Sequence, residues 1–218
     1  ERGLYKKMKV WDQLVYFARL KDMPAALAKE RVAFWLKKMD ISSWRDKRID
    51  DLSKGMQQKT QFIATVVHEP KLLILDEPFS GFDPINANML KDEILGLKER
   101  GTTILFSTHR MESVEELCDS IALINHSQVV LTGEKEEVRN RFKQHAFEVS
   151  YSGELEESKA FDIISITPEK NKAVIKLTEP NQTNKAIAAL IKQVDLFEFK
   201  EVIPSFNDIF IQVVGETK

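Results

Sequence analysis

The 218-residue sequence has little cysteine, little net charge and no long apolar run. Cys118 is the sole cysteine, so no internal disulfide can form, and no secretory leader precedes the first periodic segment, which favours a reducing cytosolic setting. The net charge is −2, from 32 basic and 34 acidic residues, so no global field attracts nucleic acid or an anionic membrane surface. No uncharged apolar run reaches the roughly 18 to 20 residues that cross a bilayer. We expect no nucleic-acid partner, and we expect any link to a membrane to come through another polypeptide.

What is present is an alternation of helix-like and strand-like patterns. Apolar residues at helical spacing predict amphipathic helices at about residues 10–18 and 27–39, and a third helix whose N-cap is Ser53. Residues 72–75 form a short continuous apolar run, and residues 102–106 form another. Such runs are typical of strands covered on both faces, so the sequence predicts two buried strands.

The second half of the sequence changes in character. The polar Asn125-His126-Ser127 segment between two apolar runs predicts a hairpin, and short alternating strands with one helix follow from about residue 146. The alternation of strands and helices predicts an α/β fold with a largely parallel sheet, followed by a small α+β domain. The expected division therefore has three parts: residues 1–69, residues 70–144 and residues 145–218.

Two adjacent acids follow the first apolar run directly. Asp76 and Glu77 would lie at the carboxyl end of a buried strand, where open α/β sheets place their ligands. Asp76 suits a metal shell, and Glu77 suits a base that orients a water against a phosphoryl group. An acidic strand end without function is the alternative, and this pair alone does not separate the two.

Two further segments carry groups that suit a phosphate. His109 follows the next strand and is placed to reach the same crevice, although a lone histidine is more often structural or solvated. Ser53-Lys54-Gly55 at a helix start offers a hydroxyl, a cation, backbone N–H groups and the positive end of the helix dipole. The plain alternative for this segment is a capped helix with a permissive glycine.

The order and spacing of four segments resemble the consecutive motifs of ATP-binding cassette (ABC) ATPases. Leu52-Ser53-Lys54-Gly55-Met56-Gln57-Gln58-Lys59 is similar to the family signature, and Leu72 to Glu77 is similar to Walker B with its catalytic glutamate. Ser80-Gly81-Phe82-Asp83-Pro84 resembles the D-loop, and Ser107-Thr108-His109 resembles the segment with the switch histidine. The resemblance covers about residues 1–142. It implies an incomplete P-loop NTPase-like ABC ATPase core with a helical subdomain.

The resemblance also implies a role for each matching residue. Ser53, Lys54 and Gly55 would contribute to binding the ATP held by an opposite subunit. Asp83 would couple the two sites of the dimer. Asp76 would support Mg²⁺, Glu77 would polarise the attacking water and His109 would sense the γ-phosphate, so ATP and Mg²⁺ are the implied ligands.

Two features narrow the resemblance to one branch of the family. The signature departs from its commonest form, Leu-Ser-Gly-Gly-Gln, at Lys54 and Met56, a variant associated with cassettes that serve ABC-2 type exporters. The last 70 or so residues resemble the small extension of some of those cassettes, including its Pro204-Ser205-Phe206-Asn207-Asp208-Ile209-Phe210 end.

One expected segment does not occur. The sequence contains no Gly-x-x-x-x-Gly-Lys-Ser/Thr loop, whose amides and lysine normally cradle nucleotide phosphates. The sequence starts at Glu1, and its first residues are similar to those that follow the family's Q-loop. We therefore expect an N-terminally truncated chain that is itself inactive.

The leading hypothesis makes the parent protein an ATPase that acts as a head-to-tail dimer and powers a separate membrane permease. It would be cytoplasmic and attached peripherally to the inner face of the cell membrane through that permease. Aromatic residues of the helical region, among them Trp11, Tyr16, Phe17 and Trp35, line a docking groove or belong to the core. The alternative function is a soluble, non-transport ABC ATPase that acts on ribosomes or DNA.

Overall fold

The first helices of the described chain, residues 3–216 of this computed structural model, follow the apolar spacing of the sequence. They are α1 (Val10–Leu20), α2 (Ala25–Lys38) and α3 (Lys54–Val66), and 3₁₀ turns occupy Ser42–Trp44 and Ile49–Asp51. Their apolar faces pack together and are almost fully buried, as at Val10, Leu14, Ala18, Ala28, Val32, Trp35, Ile63 and Val66.

Two parallel strands follow these helices. Strand β1 (Leu72–Asp76) pairs with β2 (Thr103–Ser107) in a register that places Asp76 opposite Ser107. Helix α4 (Pro84–Glu99) connects the strands, contacts β2 and buries Leu90, Ile94 and Leu97. This strand–helix–strand order confirms the predicted α/β pattern.

The prediction that these strands are covered on both faces was wrong for the described residues. Leu73 is buried, but Leu72, Ile74 and Leu105 are 54%, 66% and 61% exposed. The apolar run carries side chains for two faces, and only one face of this two-stranded pair is packed.

The chain divides into two units by its internal contacts, Glu1–His109 and Arg110–Lys218. The second unit opens with α5 (Met111–Leu117) and the antiparallel pair β3 (Ser120–Asn125) and β4 (Gln128–Glu134). His126 and Ser127 make the turn with φ values of 45° and 62°, the left-handed conformation that tight hairpins need. The predicted hairpin is therefore confirmed.

A four-stranded antiparallel sheet completes the second unit. Its order is β6-β7-β5-β8, and α7 (Thr183–Ile191) lies between β7 and β8 in sequence. The strands are β5 (Ala146–Ser152), β6 (Phe161–Thr167), β7 (Lys172–Leu177) and β8 (Asp195–Glu201). Its core includes Val149, Tyr151, Phe161, Ile175, Ala186 and Leu190.

Two short helices form a second cluster within this unit. Helix α6 (Lys135–Arg141) and helix α8 (Phe206–Glu216) bury Val138, Phe206 and Ile209 together. Helix α8 also contacts α5, whose Glu115 carboxylate accepts a hydrogen bond from the Phe206 N–H at 2.9 Å. The division at residues 69/70 and 144/145 stays a prediction.

Candidate functional site

The site forms where β1 and β2 end side by side. Because the strands are parallel and in register, Asp76 and Ser107 are neighbours, and the Ser107 hydroxyl donates to Asp76 Oδ1. The Glu77 N–H donates to the Ser107 carbonyl at 3.2 Å and lies 3.3 Å from its hydroxyl oxygen. Glu77 has a φ of 45°, so the backbone leaves the strand conformation directly after β1.

Glu77 and His109 contact each other directly. The His109 N–H donates to Glu77 Oε1 at 2.9 Å, and His109 Nδ1 lies 2.7 Å from the same oxygen. The imidazole remains 79% exposed while the glutamate side chain is 34% exposed. One carboxylate oxygen thus orients the ring and leaves its Nε2 edge directed away from that contact.

Oxygen ligands for a magnesium ion are present at the same strand ends. Asp76 supplies a carboxylate and Ser107 a hydroxyl, and hard oxygen donors are what Mg²⁺ prefers. Among residues 3–216 no group of three or more His, Cys, Asp or Glu side chains is placed to hold a metal. A carboxylate with a hydroxyl beside it fits an ion that takes its other ligands from phosphates and water, which is the usual way proteins bind Mg²⁺ with nucleotides.

Ser53 begins α3 in the way that its residue type predicts. Its hydroxyl accepts a hydrogen bond from the Met56 N–H at 3.3 Å, and its extended backbone is that of an N-cap. A Cβ added to Gly55 would meet nothing within 4 Å, so the first turn of α3 is open to an approaching group. Lys54 lies in the same exposed turn.

Asp83 caps the next helix. It accepts a hydrogen bond from the Asn86 N–H at 3.0 Å, and the Asn86 side-chain amide donates to its other oxygen. These bonds from Asn86 hold the pKa of Asp83 below its usual value. Asp83 is therefore a carboxylate fixed at the start of α4, beside Pro84 at the first helical position.

A residue that sequence reasoning left without a role joins α3 to the turn before Asp83. Gln58 donates from Nε2 to the Ser80 carbonyl at 2.5 Å. The sequence offers no signal for this contact beyond the position of Gln58 inside the signature-like segment, because the contact spans 22 residues.

The aromatic residues of the helical region divide between core and surface. Trp35 is buried, while Tyr16 is 40% exposed and forms a cluster with Tyr5 and Phe17. Trp11 is stacked under the guanidinium of Arg45, whose carbon lies 3.8 Å from the ring centre. Trp35 therefore belongs to the core, and Tyr16 lies partly at the surface.

No helix within residues 3–216 is both long and apolar enough to span a bilayer.

Two family models match the sequence. Residues 1–80 match the family described as "ABC transporter", and residues 133–214 match the family described as "ATP-binding protein DrrA1-3-like, C-terminal domain". The first match includes the signature-like and Walker B-like segments and ends before Asp83 and His109, and the second includes most of the small α+β domain.

Curated relatives align along most or nearly all of the chain. An uncharacterized ABC transporter ATP-binding protein of Alkalihalophilus pseudofirmus is 43% identical over 99% of this chain and 81% of its own length. The uncharacterized ABC transporter ATP-binding protein YhaQ of Bacillus subtilis is 41% identical over 99% of this chain and 72% of its own length. A fluoroquinolones export ATP-binding protein of Mycobacterium tuberculosis is 33% identical over 69% of this chain and 48% of its own length.

Solved structures of similar proteins cover part of the chain. An ATP binding subunit of an ABC transporter superposes with a TM-score of 0.60 at 29% identity over 64% of this chain. The cbiO1 protein from Clostridium perfringens, part of the ABC transporter complex cbiONQ, superposes with a TM-score of 0.53 at 31% identity over 62% of this chain. The chain spans 58% and 54% of the lengths of these two proteins.

Proposed function

The chain belongs to the ABC transporter ATP-binding proteins, and on that premise we propose that its parent protein hydrolyses ATP to power a separate membrane permease that exports its substrate. Its fold is the α/β fold of ABC ATP-binding subunits. Export is supported by the variant signature and by the relative named for fluoroquinolone export. The observation that carries the proposal is the contact between Glu77 and His109 at the ends of two paired strands.

Glu77 and His109 are the proposed catalytic residues. Phosphoryl transfer passes through a loose transition state that leaves the protein little covalent chemistry to perform. The protein therefore contributes mainly by positioning the attacking water in line with the leaving oxygen and by compensating charge. Glu77 accepts two hydrogen bonds from His109 on one oxygen, which leaves its other oxygen to orient the water. With both ring nitrogens protonated, His109 also donates from Nε2 to the terminal phosphate.

Asp76 is the proposed protein ligand of the magnesium ion. The ion, when bound, neutralises charge on the phosphate oxygens of ATP. Asp76 holds its place through the Ser107 hydroxyl, so the second strand of the pair positions the ligand on the first. The two adjacent acids thus perform different tasks at one strand end.

The signature segment serves a nucleotide held by a second subunit. Ser53, Lys54 and Gly55 lie at the start of α3, where backbone N–H groups and the helix dipole favour a phosphate. The open space beside Gly55 allows the phosphate to approach the backbone closely. Asp83 then couples the two sites of a head-to-tail homodimer, with its carboxylate fixed by Asn86.

The helical region is the proposed contact with the permease. Its surface includes the half-exposed Tyr5 and Tyr16 and the 51% exposed Phe34. Docking at this surface would place the protein at the inner face of the cell membrane.

The test is ATP hydrolysis by the full-length gene product, purified with its membrane partner. We expect the wild type to hydrolyse ATP and Glu77→Gln to lose turnover by about 100-fold or more, because the water loses its orienting carboxylate. Glu112→Gln, at an 80% exposed side chain, is the matched control and should stay within about twofold of wild type. The 218-residue polypeptide alone, which contains no glycine-rich phosphate loop, should show no turnover. Robust activity in Glu77→Gln would sink the catalytic assignment, and clear hydrolysis by the 218-residue chain would contradict its proposed inactivity.

A further inference from the structure

The turn from Phe79 to Asp83 is held at both of its ends by local contacts. Phe79 is 2% exposed and packs edge-on against Phe106, with ring centres 6.2 Å apart. Asp83 is fixed as the N-cap of α4. Between them Ser80 and Gly81 are exposed, and Gly81 has a φ of 78°, which glycine adopts without strain. The Ser80 and Phe82 N–H groups donate to the Glu77 and Phe79 carbonyls inside the turn, while the Ser80 carbonyl accepts from a partner outside it.

Gln58 of α3 is that partner. Its Nε2 donates to the Ser80 carbonyl at 2.5 Å, and a Cβ on Gly81 would lie 3.5 Å from both Nε2 and Oε1 of the same amide. The amide group thus borders the space that a side chain at position 81 would occupy. Within the described residues Gln58 Oε1 is buried without a hydrogen-bond partner, so the amide is held by the Ser80 contact and by packing.

Lys59, the next residue of α3, interacts electrostatically with the same turn. Burial lowers the pKa of Lys59, while the carboxylates of Asp40 and Asp83 act in the opposite direction. The Asp83 carboxylate therefore attracts the ammonium of Lys59. Gln58 therefore contacts the turn directly, and Lys59 interacts with Asp83 through charge alone.

We propose that Gln58 is a positioning residue that couples the phosphate-binding start of α3 to the turn that carries Asp83. The inference rests on the proposed function, in which Ser53 and Gly55 meet the ATP of a second subunit. Gln58 lies five residues beyond Ser53 in one continuous helix, so a shift of the helix start moves the amide with it. The Ser80 carbonyl moves with the amide to which it is hydrogen-bonded, and Asp83 moves with the turn. Binding at one nucleotide site thereby reaches the segment that serves the other site.

The experiment measures how ATP hydrolysis depends on ATP concentration in the full-length protein with its membrane partner. Gln58→Met keeps the length of the side chain and removes the donor, so we expect the Hill coefficient to fall towards one. We expect the coupling between the two ATP sites to fall by about fivefold or more. The melting temperature should stay near that of the wild type, because the lost hydrogen bond is at an exposed turn.

Gln57→Met is the matched control, because it removes a neighbouring glutamine of the same helix. Gln57 donates to the carbonyls of Ile49 and Leu52 rather than to the turn, so its loss should leave the Hill coefficient unchanged even if the melting temperature falls. A wild type with a Hill coefficient of one overturns the inference, and so does a cooperative Gln58→Met variant. A wild type without turnover that depends on Glu77 overturns the proposed function and the inference with it.

Discussion

At the residue scale, the parts of the site that could be predicted from the sequence are those fixed by strand register and by local capping. Asp76 and His109 come to one edge because both follow neighbouring parallel strands, and Ser53 and Asp83 cap helices because their side chains accept nearby N–H groups. The contact of Gln58 with Ser80 was beyond prediction. It depends on how α3 packs beside a turn 22 residues away, and no periodicity reports that.

The pKa of Asp83 makes its capping role testable by pH. The Asn86 bonds lower this pKa in the folded chain, so the ionised form stabilises the fold above the ordinary aspartate pKa of about 4. That contribution is lost as pH falls through the lower folded-state pKa. Chemical denaturation at a series of pH values should show the wild type more stable than Asp83→Ala at neutral pH. The difference should shrink in acid, and a difference that stays constant down to about pH 2 would contradict the assignment.

At the element scale, helices and the hairpin were predictable because their signals are local, whereas strand burial was not. The continuous apolar run of β1 suggested cover on both faces, but cover depends on which elements pack there, and Ile74 is 66% exposed. The burial of helix α8 likewise depends on which elements pack against it. The resemblance of residues 204–210 to the family's extension does not say what this segment packs against, and only the structure shows that Phe206 is buried against α5 and α6.

The anchoring of α8 can be tested by removing one ring. Phe206 is 3% exposed, stacks against the Arg139 guanidinium at 5.2 Å and packs with Val138 and Ile209. Phe206→Ala should lower the free energy of unfolding by about 3 kcal/mol, the cost of a cavity of this size. Phe197→Ala is the control, since that ring is 71% exposed and its removal should change stability by less than about 0.5 kcal/mol. Urea denaturation compares the two, and equal effects would show that α8 is not anchored through Phe206.

At the scale of the whole molecule, the exposed face of the β1–β2 pair predicts how the chain behaves in solution. Leu72, Ile74 and Leu105 are each more than half exposed, and Ile74 lies directly opposite Leu105 in the register. Contiguous apolar side chains on a sheet are a site of association, because burying them against any apolar partner removes them from water. We therefore expect the 218-residue chain to self-associate as its concentration rises.

The double variant Ile74→Thr/Leu105→Thr tests this expectation. Threonine suits a strand and replaces apolar surface with a hydroxyl, so the fold should persist while association weakens. Sedimentation velocity over a range of concentrations measures the change, and circular dichroism checks that the secondary structure is retained. The matched control is Ile191→Thr, which removes an equally exposed isoleucine from α7, at 63%, and should leave association unchanged. If the wild type remains monomeric throughout, or if Ile191→Thr weakens association as much as the double variant, the β1–β2 face is not the surface that drives it.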